Sequence, residues 1–255
     1  MVGENTLFWT REGFRALKDL EIGDEVLTQY GVFLPIFRLG EWKEAKYIVD
    51  VGYDKIYCRD ATMFAIIDKN GVSKLESTNG LVDKSLTGCR ICDTIFETGN
   101  KLPESKMREA YKLGLNVPSR IPNWLTHGFF DVKCSFMAGL VDSVNGGITQ
   151  ANNYIINSRY PDVLDDIKTI ARLLGWVYRE KSDTCVWLYP KGIIDTSYIR
   201  CKDPYNLRLG STMHDYSYCI NSIHYASGVR CREVLVGAQD MYVPFLVGKS
   251  MIPVM

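Results

Sequence analysis

Cys89-Arg90-Ile91-Cys92 is the closest pairing of metal-ligating side chains in this chain. Two thiolates at that spacing make half of a tetrahedral zinc site, which needs two further ligands, usually a second close pair. Cys58, Cys134, Cys185, Cys201, Cys219 and Cys231 are scattered singly, so two ordinary thiols on a loop or strand are expected, and no metal. His127, His214 and His224 stand on separate segments and read as ordinary surface or core histidines rather than a metal site. The stretch from Phe136 to Gly146 is different in kind. It is a run of apolar and small residues with one acid, Asp142, close to a plausible cap at Asn145-Gly146-Gly147, and it predicts a buried helix over Val132 to Val141.

The composition behind these residues is ordinary. The chain has 255 residues, 46 % of them apolar and 24 % charged, which suits one large domain or two small ones. Formal net charge is zero, so there is no global electrostatic case for nucleic acid or membrane. From Lys101 to Ile220 there are 15 Lys and Arg against 12 Asp and Glu, a small surplus for a DNA binder, whose affinity comes largely from phosphate contacts. No apolar run approaches the roughly 18–20 residues that span a bilayer. Met1 to Asn5 lacks the basic and apolar regions of a signal peptide. Eight cysteines are too dilute for a disulfide scaffold, so a reducing, cytoplasmic setting and no membrane partner are expected.

The elements that must position these residues fall into three stretches. The N-terminal third reads as β-structure: Thr6–Thr10, Phe14–Leu17, the turn and strand of Ile22–Thr28, Tyr47–Val51 and Lys55–Cys58. Met63–Ile67 and Val72–Leu75 flank Asp68-Lys69-Asn70-Gly71, and Asn-Gly is a strong hairpin signal. In the middle, Glu104 to Leu115 has helical spacing, and Pro118 and Pro122 break the chain. Ile148 to Asn157 alternates like one strand. Pro161 to Leu174 carries Val163, Leu164, Ile167, Ile170, Ala171 and Leu174 on one face and is closed by Gly175. Trp176–Arg179 and Thr184–Tyr189 look like a strand pair. From Arg232 short β-segments return at Val234–Val236, Tyr242–Val247 and Met251–Val254. An all-β start, an α+β middle and a β finish predict one unit inserted into another.

The run Glu4-Asn5-Thr6-Leu7-Phe8-Trp9-Thr10-Arg11-Glu12-Gly13 to Asp19-Leu20-Glu21-Ile22-Gly23-Asp24-Glu25-Val26 resembles the start of an intein, or more broadly of a Hint domain. The order is a strand ending in Thr, a Gly turn, a second strand, then D-L-x-x-G-D-x-V. The resemblance implies three catalytic positions. The nucleophile position holds Met1, whose thioether has no proton to lose. Asp60-Ala61-Thr62-Met63, set against the family form N-A-T-H, puts Met63 in the His slot, with Ala61 as the weaker candidate. The last strands resemble Phe245 to Met255 and stop at Met255, where the family ends in His-Asn.

A second resemblance covers roughly Leu115 to Ile194. Phe136-Met137-Ala138-Gly139-Leu140-Val141-Asp142-Ser143-Val144-Asn145-Gly146 is similar to the LAGLIDADG motif of homing endonucleases. Ser119-Arg120-Ile121-Pro122 resembles the K-x-I-P element before it, with Ser119 in place of Lys. Asp165-Asp166-Ile167 to Leu173-Leu174-Gly175 resembles the helix after it. In that family, carboxylates from two such helices hold Mg²⁺ and activate water. The resemblance implies that Asp142 is the first motif acid, with a structural role, and that Val144 fills the catalytic slot. No first copy of the motif is legible; Glu109 to Asn116 is only faintly similar. The family lays its DNA-contacting sheet where this chain has Arg179, Lys181, Trp187 and Lys191.

Together these readings predict a mixed fold: an all-β Hint-like unit from both ends, residues 1–100 and 232–255, and a shortened α+β LAGLIDADG-like insertion, 101–231. The expected function is an intein-derived protein inactive in both splicing and DNA cleavage, with exteins in its ancestry, DNA as the candidate partner and no cofactor. Mg²⁺ enters only if nuclease activity survives. Two alternatives stand beside it: a repurposed module that binds nucleic acid or protein without catalysis, and an active nuclease using Asp142 or Asp131.

Overall fold

The computed structural model describes residues 1–82, 86, 89–92, 103–149, 153–190, 218–238 and 241–255. The chain divides into two compact units, Met1–Thr94 with Ser217–Met255, and Ile95–Tyr216. The first is all but entirely β-structure and is built from both ends of the chain. The second mixes helices with one antiparallel sheet.

In the β unit the sequence alternates where a strand has one buried face. Tyr47–Val51 buries every second residue and pairs antiparallel with Asp54–Cys58. The turn between them uses Gly52 at φ 59°. Val2–Gly3 lies between Asp54–Cys58 and Arg230–Arg232, with Val2 opposite both Cys58 and Arg232. Met63–Ile67 forms the expected hairpin with Ser73–Ser77; Asp68 Oδ1 accepts from Asn70 N and Val72 N, and Gly71 takes φ 80°. Ile252–Val254 is placed between Met63–Ile67 and Phe245–Val247, which in turn pairs with Leu7–Thr10. Phe8, Phe64, Phe245 and Ile252 close the core between these strands.

One strand is added to the sequence reading here and two of its readings are corrected. Phe33–Leu39 is a strand, paired with Glu25–Leu27 and Val234–Ala238, although Pro35 interrupts its pattern. The chain returns to the β unit well before residue 232. Ile220–Tyr225 pairs along the whole of Tyr47–Val51, and Arg230–Arg232 pairs with Val2–Gly3 and Lys43–Glu44, so residues 218–231 belong to the β unit. The predicted strand from Ile148 to Asn157 is two strands, Gly146–Ile148 and Tyr154–Asn157, paired with each other. The other predicted edge, at residue 100, lies outside the described residues.

The insertion packs the helices Glu104–Leu115, Asn123–Thr126, Phe130–Asp142 and Pro161–Leu173 with a sheet ordered Gly146–Ile148, Tyr154–Asn157, Cys185–Tyr189, Val177–Ser182. Pro161 opens its helix at the first turn, where a missing N–H costs nothing, and Gly175 closes it at φ 75°. The stripe of Val163, Leu164, Ile167, Ile170 and Ala171 packs into a core with Tyr154, Trp176, Tyr178, Val186 and Leu188. Phe130–Asp142 is the most buried helix of the unit; ten consecutive residues, Val132 to Val141, are inside. No helix among the described residues is long and apolar enough to cross a membrane.

Candidate functional site

The structure brings Met1, Met63 and Met255 to one place. Met63 N donates to Met255 O and Met255 N to Met63 O, both at 2.9 Å, so the two residues sit directly opposite each other. Thr62, the residue before Met63, is buried. Its hydroxyl donates to Met1 O at 2.6 Å and accepts from Arg59 N at 3.3 Å. Thr62 O accepts from both Thr78 N and Thr78 Oγ1. These contacts line a cleft of about 420 Å³ whose walls include Arg38, Arg59, Asp60 and Glu233. Lys46 Nζ binds Asp60 Oδ1 at 2.7 Å and holds that carboxyl below its ordinary pKa. Cys58, close by, is fully buried, and desolvation pushes its thiol up to about 11, far from a reactive thiolate. Ala61, the weaker candidate for the His slot, also lines the cleft. The side chain that fastens the site is Thr62, which sequence reasoning passed over; the family form it was read against has a Thr there too.

The second candidate site is the C-terminal end of the Phe130–Asp142 helix. The helix stops where Ser143 Oγ turns back to Leu140 O at 2.7 Å and accepts from Asn145 N at 3.2 Å. Val144 then projects into solvent, 98 % exposed. Asp142 is half-buried and accepts from Tyr111 Oη at 2.8 Å. Beside this end lies a cleft of about 530 Å³ lined by Val117, Leu140, Asn145, Asn157, Arg159 and Thr184 among others, with no carboxylate among its lining residues. Asp131 sits in the first turn of the same helix. At 1.5 Å rise per residue it is about 16 Å from Asp142, too far to share a cation. No group of three or more His, Cys, Asp or Glu among the described residues could hold a metal ion.

Tyr111 belongs to the Glu104–Leu115 helix, whose sequence is only faintly similar to the motif. That helix packs face to face on Phe130–Asp142 through Gly114 and Gly139. A glycine inside a helix costs about 1 kcal/mol relative to alanine unless packing requires it, and Gly114 was the signal available in the sequence.

On the sheet, Arg179 lies directly opposite Trp187, and Lys181 follows on the same face. Lys181 Nζ sits 4.1 Å over the Trp187 ring, and the Arg179 guanidinium 5.6 Å over Tyr189. Glu180 points to the opposite face, where Lys168 of the Pro161–Leu173 helix binds it at 2.8 Å. The helix-free face therefore presents both cations without that acid. Lys191, expected to join them, lies outside the described residues.

The remaining sequence candidates are dispersed. Cys89 and Cys92 are both buried. His127 Nδ1 lies 3.1 Å from Asn123 O, and His224 Nε2 3.8 Å from Asp50 Oδ2. His214 and Cys201 lie outside the described residues.

Comparison with known proteins places residues 120–185 on the family model described as homing endonuclease. Among solved structures, the chain is similar to the MchDnaB-1 intein at 11 % identity, covering 100 % of this chain and 98 % of that one, with a TM-score of 0.43. It is similar to the gp41-1 intein at 17 % identity, covering 31 % of this chain and 59 % of that one, with a TM-score of 0.26. No curated protein matches. Within the insertion, residues 120–185 are thus similar to homing endonucleases.

Proposed function

We propose that this chain is an intein interrupted by a homing-endonuclease-type insertion, and that it neither splices nor cuts DNA as it stands. The observation that carries the reading is the meeting of Met1, Thr62-Met63 and Met255 at one cleft in a β unit closed from both ends of the chain. Acyl transfer there needs a side chain that can lose a proton and a base to take it. The cleft offers thioethers at Met1 and Met63, and neither does either task. Loss of nuclease activity is supported by Val144 in the acid slot, by the carboxylate-free cleft, and by the hydrogen bond that commits Asp142 to Tyr111. Buried thiols at Cys58, Cys89, Cys134 and Cys231 fit a reducing, cytoplasmic setting.

Two assays test this. A duplex spanning the insertion site, incubated with the protein and Mg²⁺, stays intact; efficient cutting sinks the nuclease half. Between two reporter exteins the chain leaves the precursor whole. The same precursor with Met1→Cys, Met63→His and an added terminal His-Asn yields ligated exteins if the descent is right.

A second reading, a module that binds nucleic acid without catalysis, is favoured by Arg179 and Lys181 held over aromatic rings on the helix-free sheet face. A steep fall in affinity with salt and no need for Mg²⁺ distinguish it.

A further inference from the structure

Met1, Met63 and Met255 are three of the chain's eight methionines, and each reaches the same cleft from a different part of the sequence. Met137 and Met251 are buried, and Met107 packs against the core of the insertion. The three at the cleft are half-buried. Met63 and Met255 form a hydrogen-bonded antiparallel pair, which sets their Cα atoms about 5.5 Å apart and sends both side chains to one face of the sheet. Met1 is tied to this pair through one residue, since its carbonyl accepts from Thr62 Oγ1 at 2.6 Å. The backbone frame is therefore fixed, while methionine side chains, unbranched and with three rotatable bonds, adjust where their sulfurs sit.

We propose that Met1, Met63 and Met255 form a thioether site for a soft monovalent metal ion, Cu(I) or its analogue Ag(I). A thioether has no proton to lose, but its sulfur keeps a lone pair to donate. It is neutral and polarizable, so it selects Cu(I) and leaves Mg²⁺ and Ca²⁺ to carboxylates, carbonyls and water. The walls of the cleft suit a single positive charge. Arg38 and Arg59 there balance Asp60 and Glu233. Asp60 is held by Lys46 at 2.7 Å and Glu233 lies 3.9 Å from Arg38, so both carboxylates already face cations. Cys58 is close by, but its thiol faces Thr78 Oγ1 in the interior and is not part of the cleft lining. An ion held by residues 1, 63 and 255 also cross-links the two ends of the β unit, and binding to the folded chain alone stabilises it. The site requires only the three thioethers and their frame, and it stands independently of any splicing ancestry.

The test is a titration of the full chain with Ag(I), a redox-inert stand-in for Cu(I). Methionine methyls carry ¹³C, and accessible thiols are first capped with N-ethylmaleimide. Each methyl signal is assigned by a Met→Leu substitution. One equivalent of Ag(I) is expected to shift the Met1, Met63 and Met255 methyls together and to leave those of Met137 and Met251 in place; excess Mg²⁺ is expected to shift none. Met63→Leu, and separately Met255→Leu, should lose most of the affinity while keeping the metal-free amide spectrum of the unaltered chain. Ag(I) should also raise the thermal midpoint of the unaltered chain and not that of either variant. Three cleft methyls unmoved by excess Ag(I), or affinity undiminished in both variants, would overturn the proposal. A failed titration leaves the splicing assay above untouched, and unligated exteins there leave this site untouched.

Discussion

The β-unit cleft and the end of the motif helix hold their shape by different means. In the cleft, position is set by backbone: Met63 and Met255 exchange N–H···O bonds, and one buried hydroxyl, Thr62, ties that pair to Met1. Met1, Met63 and Met255 are half-buried and line the cleft beside this frame. At the helix end, position is set by the close approach at Gly114 and Gly139 and by the Tyr111–Asp142 hydrogen bond, while Val144 touches almost nothing. In both places the residues that hold the geometry are different from those set against catalytic positions. A protein can exchange an exposed side chain such as Val144 at little cost to folding. It cannot lose the glycine between two helices.

The largest expected effect breaks that comparison at the glycine. Gly139→Leu drives a side chain into the backbone of Tyr111, which cannot move aside, and should destabilise by more than the roughly 1–3 kcal/mol typical of overpacking. Val144→Leu should be neutral. Chemical denaturation followed by near-UV circular dichroism separates them; a tolerated Gly139→Leu would mean the helices are not locked.

Next is Lys133, a fully buried amine that donates to Gly128 O. Desolvation lowers its pKa from 10.5 to about 7, opposed by the neighbouring Cys134. The folded pKa lies below the unfolded one, so between pH 7 and about 10 the unfolded chain binds more protons and stability rises with pH. Lys133→Met should stabilise the protein at pH 7 by on the order of 1–3 kcal/mol and flatten that slope. A pH-independent wild type would count against it.

In the β-unit cleft, Thr62→Val strands Met1 O and Arg59 N and should cost about 1–3 kcal/mol, whereas Met63→His, half-exposed on a strand, should cost little. Equal losses in a thermal melt would show that the methionines support the frame after all. A smaller effect belongs to the helix end. Tyr111→Phe and Asp142→Ala each remove this hydrogen bond, about 0.5–1.5 kcal/mol, and their double variant should cost less than the sum.

How much of this was legible follows from range. Met63–Ile67 with Ser73–Ser77 announced itself through Asn70-Gly71, and Pro161–Leu173 through its period, its proline and Gly175, because those signals lie inside the element. Ile220–Tyr225 was missed because its partner, Tyr47–Val51, is some 170 residues away and nothing local names it. Phe33–Leu39 was hidden by Pro35. The Glu104–Leu115 helix was legible as a helix but its close packing on Phe130–Asp142 was not, since that rests on Gly114 meeting Gly139, a contact that no single segment displays. Thr62 sat in view inside a motif read for its neighbour.

The finest distinction concerns the sheet. If Arg179 and Lys181 are only a solvated face, removing them changes nothing but solubility. If they contact phosphates, each Lys or Arg removed should weaken binding to any duplex by a similar factor and reduce the slope of log affinity against log salt by about one. Lys181→Ala should do this while Glu180→Gln, whose side chain faces Lys168 on the helix side, should leave the slope unchanged. Trp187→Leu sharpens the test. Lys181 rests on that ring, and losing the ring frees the ammonium without removing its charge. The salt slope should therefore survive Trp187→Leu while affinity for single strands, which bind by stacking on aromatic faces, falls. A slope unmoved by Lys181→Ala would return the sheet to a plain surface, and the homing-endonuclease likeness would then end at packing.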